Sequence, residues 1–351
     1  MKLFIYPFTS QQLPFERYYK KFRNDINVFP VVPEALFVDQ MDVSYLANGD
    51  EKMQEPINID HAIEIAENDD VFCFSNGNND IHCLKYGIDT TRYITKSGHT
   101  VSFALNRKNI SKIQKLSDSS SFIEDYLIDD FKYSLCSSKI MHNIKIPVIA
   151  INSIIEDSSR FDVCLNLMDY YKKCNLNVEC IVSDNLYNYL GITTIDYDNM
   201  IINGIDNMVL FLNNIFNELQ EERKSDLIIC DIPGGILRYD DSHVMSSGVY
   251  AYILSQAVRI KTIICCVPFS NYNDKYYKYL STYINNRFGV ANTVFHMTNY
   301  IVDNKKTKNS IEKIAGRYVS YNYYLNHICY NKSVHNLLDT DSNKELLDML
   351  L

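Results

Sequence analysis

Residues 225–241 read SDLIICDIPGGILRYDD. Leu227, Ile228, Ile229 and Cys230 form an unbroken apolar run that stops at Asp231, and Pro233, Gly234 and Gly235 follow after one isoleucine. A short continuous apolar run bounded by turn residues marks a strand buried on both faces, as in a parallel sheet. An aspartate ending such a strand beside a glycine turn is also the arrangement that carries Mg²⁺ next to a bound triphosphate. The stretch therefore predicts a parallel α/β sheet and asks whether the chain holds a nucleotide.

The same alternation extends outward in both directions. IPVIAIN (146–152) and NVECIVS (177–183) read as strands, separated by the amphipathic helix SSRFDVCLNLMDYYKKC (158–174). DNMVLFLNNIFNELQEERK (206–224) is a long helix leading into the opening stretch. After it come the helix SSGVYAYILSQAVR, the strand KTIICCVPF, the helix DKYYKYLSTYINNRFG with Gly289 as its stop, and the strand ANTVFHMTNY. A glycine just past the last periodic residue is the usual helix terminator. The tail NKELLDMLL (343–351) reads as a short amphipathic helix on the core.

The first half repeats the layout: strands KLFIYPF, NVFPVVP, DVFCFSN and HTVSFAL, and helices FERYYKKFR and NIDHAIEIAEN, the latter capped by Asn58 or Asp60. Residues 108–134 carry apolar positions at helical spacing, and 76–80 (NGNND) read as a turn. No GxGxxG occurs in this half. CSSKIMHNIKIP (136–147) is a polar bridge. The pattern predicts two Rossmann-like α/β domains, 1–140 and 141–351, the second with a mostly parallel sheet of the phosphate-loop NTPase kind.

Composition narrows the partners. With 43 acidic against 34 basic residues the net charge is −9, which argues against a nucleic-acid scaffold. No apolar run approaches the roughly 18 residues of a membrane span. MKLFIYPFTS reads as a first strand and not as a signal peptide, so a cytoplasmic location and no membrane insertion are expected. None of the ten cysteines forms a CxxC pair, and most sit in apolar runs, so they are expected to be core thiols and not metal ligands.

A phosphate loop needs glycines for close backbone approach, a lysine for the β/γ-phosphates and a hydroxyl on Mg²⁺. The loop after the 146–152 strand, 152–162, reads NSIIEDSSRFD. It has no glycine, and none occurs between Gly98 and Gly191. Arg160 stands where the lysine would, Phe161 and Asp162 stand where the hydroxyl would, and Glu156 and Asp157 add negative charge. Non-glycine residues resist left-handed backbone by about 1–2 kcal/mol each. The helix N-terminus still favours an anion, so the loop predicts a weak anion site. Its candidate residues are Ser153, Ser158, Ser159 and Arg160, with Gly234 and Gly235 across from them and Asp231 as the metal-side carboxylate.

IPVIAINSIIEDSSRFDVCLNL, DLIICDIPGGI and GVYAYILSQAV together resemble the peptide maturation system family of bacterial ribosomal-peptide (bacteriocin-type) clusters. They are also similar to phosphate-loop families of the dethiobiotin-synthetase type. Ser159-Arg160-Phe161 matches a Gly-Lys-Phe triplet with both key residues changed, and Asp231, Pro233, Gly234 and Gly235 match the second motif. The resemblance implies an accessory protein that binds a precursor peptide or a peptide-modifying enzyme on a degenerate nucleotide scaffold. Two alternatives stand beside it. One is an active ATP-dependent ligase or phosphotransferase using ATP and Mg²⁺ through Arg160 and Asp231. The other is an assembly protein, a homodimer for instance, with no small-molecule site. Whether the chain is an enzyme is left open.

Two further clusters lie outside that motif. His243 with Asp240 and Asp241 offers a metal or acid/base set, though such a loop more often forms a solvated turn. NYNDKYYKYLSTYINNRF (271–288) sets six aromatics among lysine and arginine, a pattern that suits base stacking but more often marks a half-buried helix face.

Overall fold

A computed structural model describes residues 1–33, 54–75, 81–106, 109–110, 112–113, 140–156, 159–202, 204–238, 240–241, 243, 246–303, 305, 307, 314, 316–319, 321–327 and 334–350. The expected turn at 76–80, most of the expected helix at 108–134 and Ser158 lie outside them. The chain divides into two compact units, Met1–Tyr133 with Asp184–Asn199, and Ser134–Ser183 with Met200–Leu351.

The first unit contains β1 (Lys2–Tyr6), α1 (Leu13–Phe22), β2 (Asn27–Pro30), α2 (Ile59–Ile65), β3 (Val71–Ser75), α3 (Ile81–Lys96) and β4 (Thr100–Ala104). Its strands run parallel in the order β2-β1-β3-β4. Alternate strand residues stack their rings: Phe4 lies 4.6 Å from Phe72, and Tyr6 5.5 Å from Phe74. Asn58 is the cap of α2, its side chain accepting the His61 N–H at 2.8 Å. The segment of α3 is rich in β-branched residues and carries Gly87, so its periodicity was weak in the sequence. Gly87 is there for space, since a Cβ would stand 2.1 Å from the Phe74 ring. The Asp184–Asn199 stretch joins this unit through Asn185, which donates to the Leu105 carbonyl at 3.0 Å, and through Tyr187 against Phe15.

The second unit contains β5 (Val148–Ser153), α4 (Ser159–Lys173), β6 (Val178–Val182), α5 (Ile205–Glu221), β7 (Leu227–Gly235), α6 (Val249–Ala257), β8 (Thr262–Val267), α7 (Asp274–Phe288), β9 (Asn292–Met297), β10 (Val334–His335) and α8 (Lys344–Leu350). These strands pair in the parallel order β10-β9-β8-β5-β7-β6. β5 and β8 are buried along their full length, as their unbroken apolar runs require. The chain leaves β5 toward β6 and later passes β5 on the way from β7 to β8. This reversal is a topological switch point, where doubly wound sheets open a crevice at the carboxyl ends of their strands.

The C-terminal piece closes the far edge of this sheet. His296 of β9 is level with His335 of β10, and its Nδ1 accepts the Leu337 N–H at 3.1 Å. Burial holds the His296 imidazole neutral, down to about 4. Asn166 of α4 donates to the Leu337 carbonyl at 2.9 Å, and Tyr171 donates to the Leu347 carbonyl at 2.8 Å. Leu347 and Leu350 are buried, so the tail helix packs on the core as its pattern predicts.

Candidate functional site

The strand that opens the argument does not end in a turn. β7 runs on through Pro233 and Gly234 to Gly235. Ile151 is level with Asp231, yet Ser153 is level with Gly235, so β7 bulges between them. Asn152 holds the bulge, its Nδ2 donating to the Ile232 carbonyl at 3.0 Å and the Gly234 carbonyl at 3.5 Å. Gly234 sits at φ +77°, a conformation that costs a side-chain-bearing residue about 1–2 kcal/mol. Its freedom is spent on the bulge.

Parallel pairing brings the candidate residues together. Asp231 lies on β7 between β5 and β6, Ser183 follows the last residue of β6, and Arg160 is the second residue of α4. Arg160 Nε donates to Asp231 Oδ1 at 2.5 Å. The Ser183 N–H donates to Asp231 Oδ2 at 3.1 Å, and the Ser183 hydroxyl donates to the same oxygen. Arg160 Nη2 reaches Ser183 Oγ at 3.4 Å, and the guanidinium lies 4.6 Å from the centre of the Phe161 ring. Glu156 stands 4.0 Å from Arg160 at the exposed margin. Asp231 has no exposed surface and Arg160 only 5%.

Just past β5 the described residues turn apolar side chains inward. Ile154 and Ile155 are buried, and the Ser153 hydroxyl donates to the Ile155 carbonyl. The Ile154 N–H donates to the Cys266 carbonyl of β8 at 3.0 Å. Ser159 is buried at the first turn of α4.

Electrostatics follow from this packing. Removing a carboxylate and a guanidinium from water costs several kcal/mol each, and their mutual attraction offsets that cost only with good geometry and further hydrogen bonds. Arg160 and Ser183 supply both. Mg²⁺ demands near-octahedral oxygen ligation and keeps several waters, whereas the oxygens of Asp231 already accept three hydrogen bonds. The residues expected to hold ATP and Mg²⁺ therefore do not fit that pair in this arrangement, because Arg160 and Asp231 neutralise each other.

Asn152 and Ser183 shape this corner but are not among the candidate residues of the sequence. Asn152 is a polar residue inside a buried strand run, and Ser183 stands just past the end of one. His243 is buried at a local turn, its Nδ1 2.9 Å from both oxygens of Asp240 and its backbone N–H bonded to Oδ1 at 2.8 Å. Among the described residues no group of three or more His, Cys, Asp or Glu side chains is arranged to hold a metal ion. The described free cysteines are buried except Cys174. No described helix is long and apolar enough to cross a membrane.

No protein-family profile and no curated protein matches the chain. Among solved structures, a DUF1611 family protein from Anabaena variabilis is similar over 99% of this chain and 98% of its own, with a TM-score of 0.59 and 8% sequence identity. At that identity the likeness is one of fold, and it covers both α/β units.

Proposed function

We propose that this chain is an accessory protein of a ribosomally synthesised peptide maturation system, cytoplasmic, binding a precursor peptide or a peptide-modifying enzyme on a scaffold whose nucleotide site has closed. The peptide context rests on the resemblance of the 146–167, 226–236 and 248–258 segments. The observation that carries the loss of nucleotide binding is the buried Arg160–Asp231 pair at 2.5 Å. Triphosphate recognition needs free cationic and metal-bound groups facing the phosphates, and here both are consumed internally. A scaffold relieved of catalysis keeps its crevices and surfaces for binding polypeptide. The test is a titration of the full chain with candidate precursor peptides, and with a candidate peptide-modifying enzyme, without nucleotide. Saturable binding of either is expected. Binding of neither, together with ATP turnover lost in Asp231→Ala, would replace this reading by the ligase or phosphotransferase alternative.

A further inference from the structure

The closed corner is joined to the first unit by the chain itself, which passes from the second unit to the first between Ser183 and Asp184. On the corner side of that bond Ser183 is held by Asp231, which accepts its N–H at 3.1 Å and also its hydroxyl. On the other side the buried Asn185 donates to the Leu105 carbonyl, just past β4, at 3.0 Å. Asn185 opens a short 3₁₀ helix, Asn185–Leu190, capped by Asp184, whose side chain accepts the Leu186 N–H at 2.9 Å. Tyr187 of this turn lies 5.6 Å from Phe15 of α1, and the Tyr189 hydroxyl is bonded to that of Ser102 in β4. The Tyr189 carbonyl accepts from Arg23 at 3.3 Å. Asp184, the one residue between the two anchors, has φ −118° and ψ 121°, so the backbone there is already extended. Two residues of extended chain reach about 7 Å at most, which leaves this junction no slack.

We propose that residues 183–185 form a taut relay, through which the state of the Arg160–Asp231 pair sets the order of the 185–190 turn in the first unit. Arg160 fixes Asp231, Asp231 fixes Ser183, and Ser183 fixes the start of the turn. A slack linker would absorb a shift of Ser183, whereas an extended one passes it to Asn185. The element that yields is the turn, because 3₁₀ hydrogen bonds have poorer geometry than α-helical ones, and this turn is held to the first unit through Asn185, Tyr187 and Tyr189. An anionic group that drew Arg160 away from Asp231 would free Ser183 and loosen the turn. A partner seated on the turn would bias the corner by the same free energy, since coupling is reciprocal. The relay does not depend on what the chain binds.

The experiment is hydrogen–deuterium exchange of the full chain, which reads local opening segment by segment. Ser183→Ala keeps the Arg160–Asp231 pair and removes one hydroxyl bond. It is expected to quicken exchange across 185–192 by about threefold to tenfold, as the loss of one hydrogen bond implies, while β1 and the far-edge segment 334–350 stay unchanged. Arg160→Met combined with Asp231→Leu leaves no lone buried charge but takes away the acceptor of Ser183, and is expected to quicken the same segment at least as much. Asn185→Ala tests the reverse direction: exchange of the Ser183 amide, which Asp231 protects, is expected to rise by a similar factor. Unchanged exchange across 185–192 in both Ser183→Ala and the double variant overturns the relay. Equal quickening along the whole chain also overturns it, because the corner would then act on global stability alone. A rise across 185–192 with no change at the Ser183 amide in Asn185→Ala overturns the two-way coupling.

Discussion

Beside the middle of β7, the guanidinium of Arg160 meets the carboxylate of Asp231, both of them buried. On the outer side of α7, Lys275 and Lys278 are exposed and form no ion pair with any described residue. Both regions belong to the second unit, and both carry the residue types that attract anions. They differ in where the counter-charge comes from. The corner supplies its own, so its two charges are spent on each other. The outer strip leaves its charges in water, where each adds little to stability. A catalogue of residue types would have ranked these two regions the other way round.

The largest effect should come from breaking the corner. Arg160→Ala or Asp231→Ala leaves one buried charge without its partner, and each should lower stability in guanidinium denaturation by about 3–5 kcal/mol. Arg160→Met combined with Asp231→Leu removes both charges and keeps apolar volume, so it should regain most of that loss or exceed the wild type. Additive losses in the double variant would show that the pair is not coupled.

The far edge of the same sheet sharpens the contrast by a different solution, burying a polar group that stays uncharged. The His296 imidazole titrates at about 4 in the fold, below its ordinary value of about 6.5. Between those values the unfolded chain binds the extra proton and the folded one does not. The native state is therefore fully favoured above about pH 6.5 and loses stability as pH falls toward about 4. His335, also lowered by burial, adds in the same direction. Denaturation at a series of pH values should show this slope, and His296→Asn, which can still accept the Leu337 N–H, should flatten it. An unchanged slope would remove His296 from the account.

The smallest effect belongs to the outer strip. Lys275→Glu with Lys278→Glu should leave stability within about 0.5 kcal/mol, as for exposed residues in general. A loss comparable to that of Arg160→Ala would mean that the strip is structural and that the comparison fails.

Much of the fold was legible because its strands are buried on both faces: runs such as 148–153, 227–232 and 262–267 admit little else. Gly289 marked a helix end and Asn58 or Asp60 a helix start through local chemistry; in the structure Gly289 and Asn58 are the caps, and Asp60 lies in the first turn. α3 was not legible, because its β-branched residues and Gly87 blur the helical period, and Gly87 answers to Phe74, distant in sequence. At the site, the sequence exposed the missing glycines and the exchange of lysine for Arg160. It could not disclose what Arg160 does, since Asp231 lies 71 residues away and only strand order brings them together. Gly234 and Gly235 read as a phosphate turn because the left-handed φ that a turn asks of a glycine is also what the bulge asks of Gly234. The register between β5 and β7 distinguishes them.

Calorimetric titration of the full chain with ATP and Mg²⁺ addresses the closed corner most directly. No saturable heat is predicted for the wild type at submillimolar nucleotide, and none for Asp231→Ala. Saturable submillimolar binding by the wild type that disappears in Asp231→Ala would contradict the account, because Asp231 would then be holding metal and not Arg160.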